Sequence, residues 1–151
     1  MNEIIIEAKA KKVQIANIIP KIEDPELVSI IKEIDSTVEK IIKTIESKPE
    51  KYKKSEKFFS YYLPVTINIL NRYDEIENQK LITGDSQKFM ADAKKMVERI
   101  NNAFKKQLSS LYQSDMIDTD AEMKVFDSML KADGYNDDDF NIKEEGGKKV
   151  E

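Results

Sequence analysis

A run of aliphatic side chains between residues 27 and 45 is the feature that most constrains the fold of this chain. Its members are separated by alternating steps of four and three residues: Leu27, Ile31, Ile34, Val38, Ile41 and Ile45. This spacing is a heptad seam, which lays one narrow apolar stripe along a helix and requires a partner to cover it. Asp24 and Pro25 predict the start of that helix, because aspartate caps free amides and proline suits the first turn.

Long helices with few interruptions are predicted for the whole chain, since its 151 residues include only 4 Gly and 4 Pro. We therefore expect an all-α fold: an elongated antiparallel helical bundle, or coiled-coil-like hairpin, of three long helices plus a shorter C-terminal helix. Residues 1–135 are expected to form a single helical domain. Within it, residues 1–22 form a weaker helix, because Lys9 and Lys12 interrupt the stripe of Ile5, Ala16 and Ile19. Residues 136–151 are acidic and contain glycine, which predicts a disordered tail.

The segment FFSYYLPVTINIL, residues 58–70, places four of the 12 Phe and Tyr side chains within five positions. Helical spacing sorts its apolar residues into two neighbouring stripes: Phe58, Tyr62, Val65, Ile69 and Ile76 on one, and Phe59, Leu63, Thr66 and Leu70 on the other. We expect both stripes to be buried in a central helix that bends at Pro64 and continues. Tyr61 points away from both stripes and is expected to be exposed.

Polar turn signals divide the rest of the chain. SKPE, residues 47–50, is predicted to be a capping box that starts the central helix, and Thr83 or Asp85 to cap the next one. That next helix carries another seam: Phe89, Ala93, Met96, Ile100, Ala103, Gln107 and Leu111, widened by Val97, Phe104 and Leu108. TDAE, residues 119–122, predicts the start of the last helix, and Asp133-Gly134 its end.

Most catalytic chemistry is excluded by composition, because the chain contains no histidine and no cysteine. Serine–histidine and cysteine–histidine nucleophiles, ordinary zinc sites and histidine acid–base catalysis therefore cannot form. No glycine pattern that cradles phosphates occurs. We predict no catalytic residue and no cofactor.

Charge and hydropathy limit the partners and the location. The net charge of −4 equals the charge of residues 133–151, which hold seven acids and three lysines, so the remainder is formally neutral. A formally neutral region with two arginines offers little attraction to phosphate groups. We therefore predict no nucleic-acid binding. No apolar run approaches 18 residues, so no transmembrane segment is expected. The lack of cysteine favours a cytoplasmic location, with peripheral attachment to a membrane left open.

Two weak candidates remain for chemistry. The cluster Asp115, Asp118, Asp120 and Glu122 is predicted to lie at a helix–helix turn, where carboxylates at such spacing could bind Mg²⁺ or Ca²⁺. Helix capping explains the same acids and is preferred. In KPEKYKKSEK, residues 48–57, Lys53 and Lys54 are candidate phosphate contacts, although a solvated lysine face at a helix start is the preferred interpretation.

The chain resembles the XpaC-like family of 5-bromo-4-chloroindolyl phosphate hydrolysis proteins. The resemblance covers about residues 22–135 and is carried by a proline–lysine lead-in, an aromatic YYLP segment and a later acidic helix. The matching positions are Pro49, Phe59, Tyr61, Tyr62, Leu63, Pro64, Tyr73-Asp74-Glu75 and Asp133-Gly134-Tyr135.

This resemblance implies two different functions. The family name implies hydrolysis of a phosphate ester, whereas the association of relatives with toxic-anion-resistance (TelA-like) helical proteins implies an interaction role. We predict a non-enzymatic interaction or stress-adaptor protein whose partner is a second copy or a TelA-like helical protein. The alternative is a metal-assisted phosphoric ester hydrolase using Mg²⁺ or Ca²⁺.

Overall fold

The computed structural model describes residues 2–135, which form helices and turns and contain no strand. The α-helices are α1 (Asn2–Ile18), α2 (Pro25–Ser47), α3 (Leu63–Asn78), α4 (Gly84–Leu111) and α5 (Gln113–Ala132). Shorter 3₁₀ segments span Ile19–Lys21 and Pro49–Ser55, and a π-helical turn spans Phe58–Tyr62. The all-α prediction is confirmed. The predicted tail, residues 136–151, lies outside the described residues.

The chain divides into two compact units, residues 1–111 and the part from Tyr112 onward, where one domain over residues 1–135 was expected. The first unit contains α1 to α4, which pack around a shared apolar core. The second contains α5, none of whose side chains is buried.

Ion pairs between the helices show their directions. Lys9 contacts Glu46 at 2.7 Å and Lys12 contacts Asp35 at 3.2 Å, so α1 runs antiparallel to α2. Lys94 lies 2.8 Å from Asp24, and Lys105 lies 2.6 Å from Glu33. Because the residue numbers of the paired side chains increase together along the two helices, α2 and α4 run parallel.

The short turn between α3 and α4 makes them antiparallel, as predicted. Phe58, just before α3, packs on Phe104 late in α4, with ring centroids 4.9 Å apart at 74°. The chain thus forms two helical hairpins, α1–α2 and α3–α4, lying side by side. Both α1 and α4 pack against α2 and α3.

The predicted seam of α2 forms the centre of this core. All six of its aliphatic residues are fully buried: Leu27, Ile31, Ile34, Val38, Ile41 and Ile45. The stripe predicted for α1 was partly wrong, because Ala16 and Ile19 are only half-buried. The buried residues of α1 are Ile5, Ala8, Ile15 and Ile18, and α1 is a full member of the core.

The π-helical turn explains where the prediction for residues 58–70 was wrong. Its backbone hydrogen bond runs from the Leu63 N–H to the Phe58 carbonyl, five residues back instead of four. The extra residue places Leu63, rather than Tyr62, one turn after Phe58 on the buried side. Tyr62 is therefore 41% exposed, and Val65 and Ile69 are half-buried rather than buried.

The other predicted stripe of this helix is confirmed. Phe59, Leu63, Thr66 and Leu70 are buried, and Ile67 and Tyr73 complete the buried face. Helical hydrogen bonding continues through Pro64, as expected. A proline ring meets the carbonyl four residues back in an α-helix, and the wide turn immediately before Pro64 displaces that carbonyl.

Two of the predicted capping boxes were wrong. The Ser47 hydroxyl donates back to the Lys43 carbonyl at 2.9 Å, and Pro49–Ser55 is a 3₁₀ segment without a side-chain cap. TDAE, residues 119–122, lies inside α5, because nothing after Tyr112 interrupts the helix until Asp133. The remaining signals are confirmed: Thr83 Oγ1 accepts a bond from the Ser86 N–H at 3.1 Å, and Gly134 has a φ of 99° after α5.

Asp24 joins the start of α2 to α4. Its carboxylate accepts bonds from the amides of Glu26 and Leu27, and Lys94 Nζ lies 2.8 Å away. The hydrogen bond from Lys94 is the largest cause that holds the pKa of the Asp24 carboxyl below its usual value, and the two amides lower it further. Burial opposes this shift. The cap and the contact between helices therefore depend on the same charge.

We expect Phe58→Ala to lower the free energy of unfolding by about 3–5 kcal/mol, because it empties a fully buried site. Tyr62→Ala should lower it by less than about 1 kcal/mol, because the ring is largely solvated. Urea denaturation followed by circular dichroism measures both. Equal large losses would show that Tyr62 is buried and would contradict the wide turn.

Asp24→Asn should lower the unfolding free energy by about 0.5–1 kcal/mol at pH 7, because asparagine keeps the cap but loses the ion pair. A carboxylate with a lowered folded pKa stabilises above its unfolded pKa and loses that contribution as the pH falls through the folded value. The two proteins should therefore converge in acid. Denaturation at a series of pH values tests this, with Lys94→Gln as a matched variant that should reduce the same pH dependence and leave the smaller part due to the two amides.

Candidate functional site

An open apolar groove lies between α3 and α4 in the first unit. Its volume is about 430 Å³. The side chains that line it are Tyr61, Tyr62, Val65, Thr66, Ile69, Met96, Arg99, Ile100, Ala103 and Phe104. We call this surface the α3–α4 groove.

The floor of the groove is apolar and rigid. Phe104 is 2% exposed and is held by edge-on contact with Phe58. Thr66 turns its hydroxyl away, donating it to the Tyr62 carbonyl at 2.7 Å. The floor therefore presents hydrocarbon rather than hydrogen-bonding groups, which suits an apolar side chain and not a polar metabolite.

The rim is formed by large side chains in water. Tyr61 is 59% exposed, as predicted, and Met96 is 40% exposed. Tyr61 and Tyr62 pack edge-on, with ring centroids 6.0 Å apart. Exposed aromatic and methionine side chains around an apolar floor are typical of protein-binding surfaces.

The groove exists because α3 and α4 each carry more apolar surface than their neighbours cover. In α4 the buried line is Ala93, Val97, Phe104 and Leu111. The other half of its predicted seam, with Phe89, Met96 and Ala103, faces solvent.

Positive charge borders the groove. Arg99 lines it, and Lys95 and Lys106 are exposed on the same side of α4 by helical spacing. Arg72 lies on the corresponding side of α3, where it approaches Glu75 at 3.7 Å. Of the two arginines in the sequence, Arg99 lines the groove and Arg72 does not, a difference that sequence spacing alone did not reveal.

The predicted metal-binding acids are not gathered at a turn. Asp115, Asp118, Asp120 and Glu122 all lie within α5. Asp120 pairs with Lys124 at 3.1 Å, on a different side of the helix from Asp118. Within residues 2–135, no group of three or more acidic side chains is arranged to hold a metal ion.

The candidate phosphate contacts lie in the first unit. Lys53 and Lys54 are exposed in the Pro49–Ser55 segment, and the Lys54 carbonyl accepts a bond from Gln107 Nε2 at 2.9 Å. The neighbouring Lys51 donates to the Leu111 carbonyl. This segment is attached to the end of α4, and the acids of α5 belong to the other unit.

The positions that carry the family resemblance have two structural roles. Phe59, Leu63 and Tyr73 are buried in the core, and burial, with the nearby Glu77 and Asp24, raises the pKa of Tyr73. Tyr61 and Tyr62 form the rim of the groove. Pro49 begins its 3₁₀ segment and Pro64 follows the wide turn.

Comparison with known families identifies the family of this chain. The sequence model described as 5-bromo-4-chloroindolyl phosphate hydrolysis protein matches residues 1–126. No curated protein and no solved structure matches the chain. Among the described residues, none of the helices has the length and apolar character needed to cross a membrane.

Proposed function

The chain belongs to the 5-bromo-4-chloroindolyl phosphate hydrolysis protein family, and on that premise we propose that it is a non-enzymatic interaction protein that binds a helix of a protein partner. The α3–α4 groove carries this proposal. An amphipathic helix docks by inserting apolar side chains, spaced three and four residues apart, into such a groove. The basic border selects helices whose flanking positions are acidic.

The size of the surface supports a helix as the bound element. The groove residues run from Tyr61 to Ile69 on one side and from Met96 to Phe104 on the other, about 12 Å at 1.5 Å per residue. A facing helix of two to three turns would cover it. Exposed tyrosine, methionine and arginine side chains are those that contribute most to binding at protein interfaces.

The alternative, a metal-assisted phosphate-ester hydrolase, is favoured by the description of the family. Phosphoryl transfer requires cations that neutralise developing charge and a positioned base or nucleophile. Under this alternative, Asp115, Asp118, Asp120 and Glu122 would hold Mg²⁺ or Ca²⁺. Their distribution along α5 supports the interaction role instead.

An assay of the purified protein separates the two functions. We expect no hydrolysis of 5-bromo-4-chloroindolyl phosphate or nitrophenyl phosphate above background, with or without Mg²⁺, Mn²⁺ or Ca²⁺. Metal-dependent turnover that disappears in an Asp118→Asn, Asp120→Asn double variant would establish the hydrolase. Turnover that persists unchanged in the double variant would indicate a contaminating phosphatase.

Photo-crosslinking tests the groove directly. Benzoylphenylalanine placed at Tyr61 or Met96, in cells that make the protein naturally, should crosslink to a helical peptide with apolar heptad spacing and acidic flanks. Val13 is the matched control, because it is 56% exposed on α1, away from the groove. Adducts identified by peptide sequencing decide the result. Equal crosslinking at all three positions would contradict the proposal.

A further inference from the structure

We infer that the helix bound in the α3–α4 groove is α5 of a second copy of this chain. This inference rests on the proposed function and identifies the partner. It is carried by the exposed apolar side chains Met116, Met123 and Phe126 of α5 and by the charges that flank them.

One side of α5 carries a complete heptad seam. Its positions follow steps of four and three residues: Tyr112, Met116, Thr119, Met123, Phe126 and Leu130. Met116, Met123 and Phe126 are 54%, 57% and 61% exposed. A helix with such a seam requires a partner surface. We call this stripe the α5 seam.

The flanks of the α5 seam exclude pairing of α5 with another α5. In heptad terms, the charged residues at the positions beside the seam are all acidic: Asp115 and Glu122 on one side, Asp120 and Asp127 on the other. These positions face each other in a coiled coil of two identical helices, and like charges there are destabilising. Lys124 and Lys131 lie further around the helix from the seam, next to the flanking acids. Each is 3.1 Å from an acid of the same helix.

The α3–α4 groove has the complementary properties. It is apolar along its centre and Arg99 lines it, and helical spacing places the exposed Lys95 and Lys106 on the Arg99 side of α4. The charged residues of α5 sum to −3, from five acids and two lysines. Methionine and phenylalanine of the seam would enter the apolar floor while the acids beside them approach the basic border.

Both surfaces occur in every copy of the chain. Two copies can therefore exchange α5 helices reciprocally, which gives a closed dimer with two equivalent contacts.

Mixing two variants that are each defective tests this arrangement. The groove variant carries Tyr61→Gln and Met96→Gln, and the seam variant carries Met123→Gln and Phe126→Gln. All four side chains are exposed, so the fold should survive in both; circular dichroism checks this. Matched controls are Val13→Gln on α1 and Ile117→Gln, which is 62% exposed on α5 outside the seam.

Sedimentation equilibrium of the full chain should show a dimer for the wild type and for both controls. Each double variant alone should dissociate at least about tenfold more readily, the factor equivalent to 1.4 kcal/mol. An equimolar mixture should regain association, because the intact α5 of the groove variant meets the intact groove of the seam variant. Added salt should weaken every association.

Four results would overturn the inference: a wild type that stays monomeric, a groove variant that still dimerises, a seam variant that still dimerises, or a mixture that does not recover. A groove variant that still dimerises would indicate pairing through α5 alone. A seam variant that still dimerises would indicate pairing through the groove alone. The proposed function is tested separately. Crosslinks from Tyr61 to a helix of a different protein would leave it standing while removing the second copy as the partner.

Discussion

The surface of the first unit depends on one hydrogen bond, from the Leu63 N–H to the Phe58 carbonyl. Because it spans five residues, it admits one more residue into that turn than an α-helix does. Leu63 thereby takes the core position next to Phe58, and Tyr62 moves out beside Tyr61. The core and the groove are consequences of the same turn, since an unbroken α-helix would bury Tyr62 and leave Tyr61 as the one tyrosine at the rim.

Local signals made much of the fold predictable. The α2 seam, the Asp24 cap and the helix end at Gly134 are each predicted from residues that lie close together in the sequence. The structure contains all three. The wide turn was not predictable, because counting at 3.6 residues per turn carries the stripe from Phe58 to Tyr62 without a visible break. The start of α5 was misplaced because TDAE resembles a cap wherever it stands, and only the continuing backbone shows that it is helix interior.

The candidate site could be predicted in part, because sequence spacing shows which side of a helix a residue occupies but not which helix packs there. Sequence spacing showed that Tyr61 points away from the core and that α3 and α4 each carry more than one apolar stripe. It could not show which stripes would lack a neighbour, since that depends on how α1 and α2 pack. Charge followed the same pattern: spacing alone did not show that Arg99 lines a groove, because that depends on how α3 packs beside α4.

Pro64 has a consequence for the kinetics of binding. Proline supplies no N–H, so no bond forms from residue 64 to the Ser60 carbonyl, and the wide turn before it places that carbonyl away from the proline ring. Tyr61 and Tyr62 are already exposed at the rim in the chain without a partner, so no backbone rearrangement is needed to present them. Association that needs no rearrangement is limited by diffusion and orientation, and long-range attraction between opposite charges accelerates it. The rate of capture would then follow ionic strength, whereas the lifetime of the complex would follow the fit of apolar side chains on Phe104.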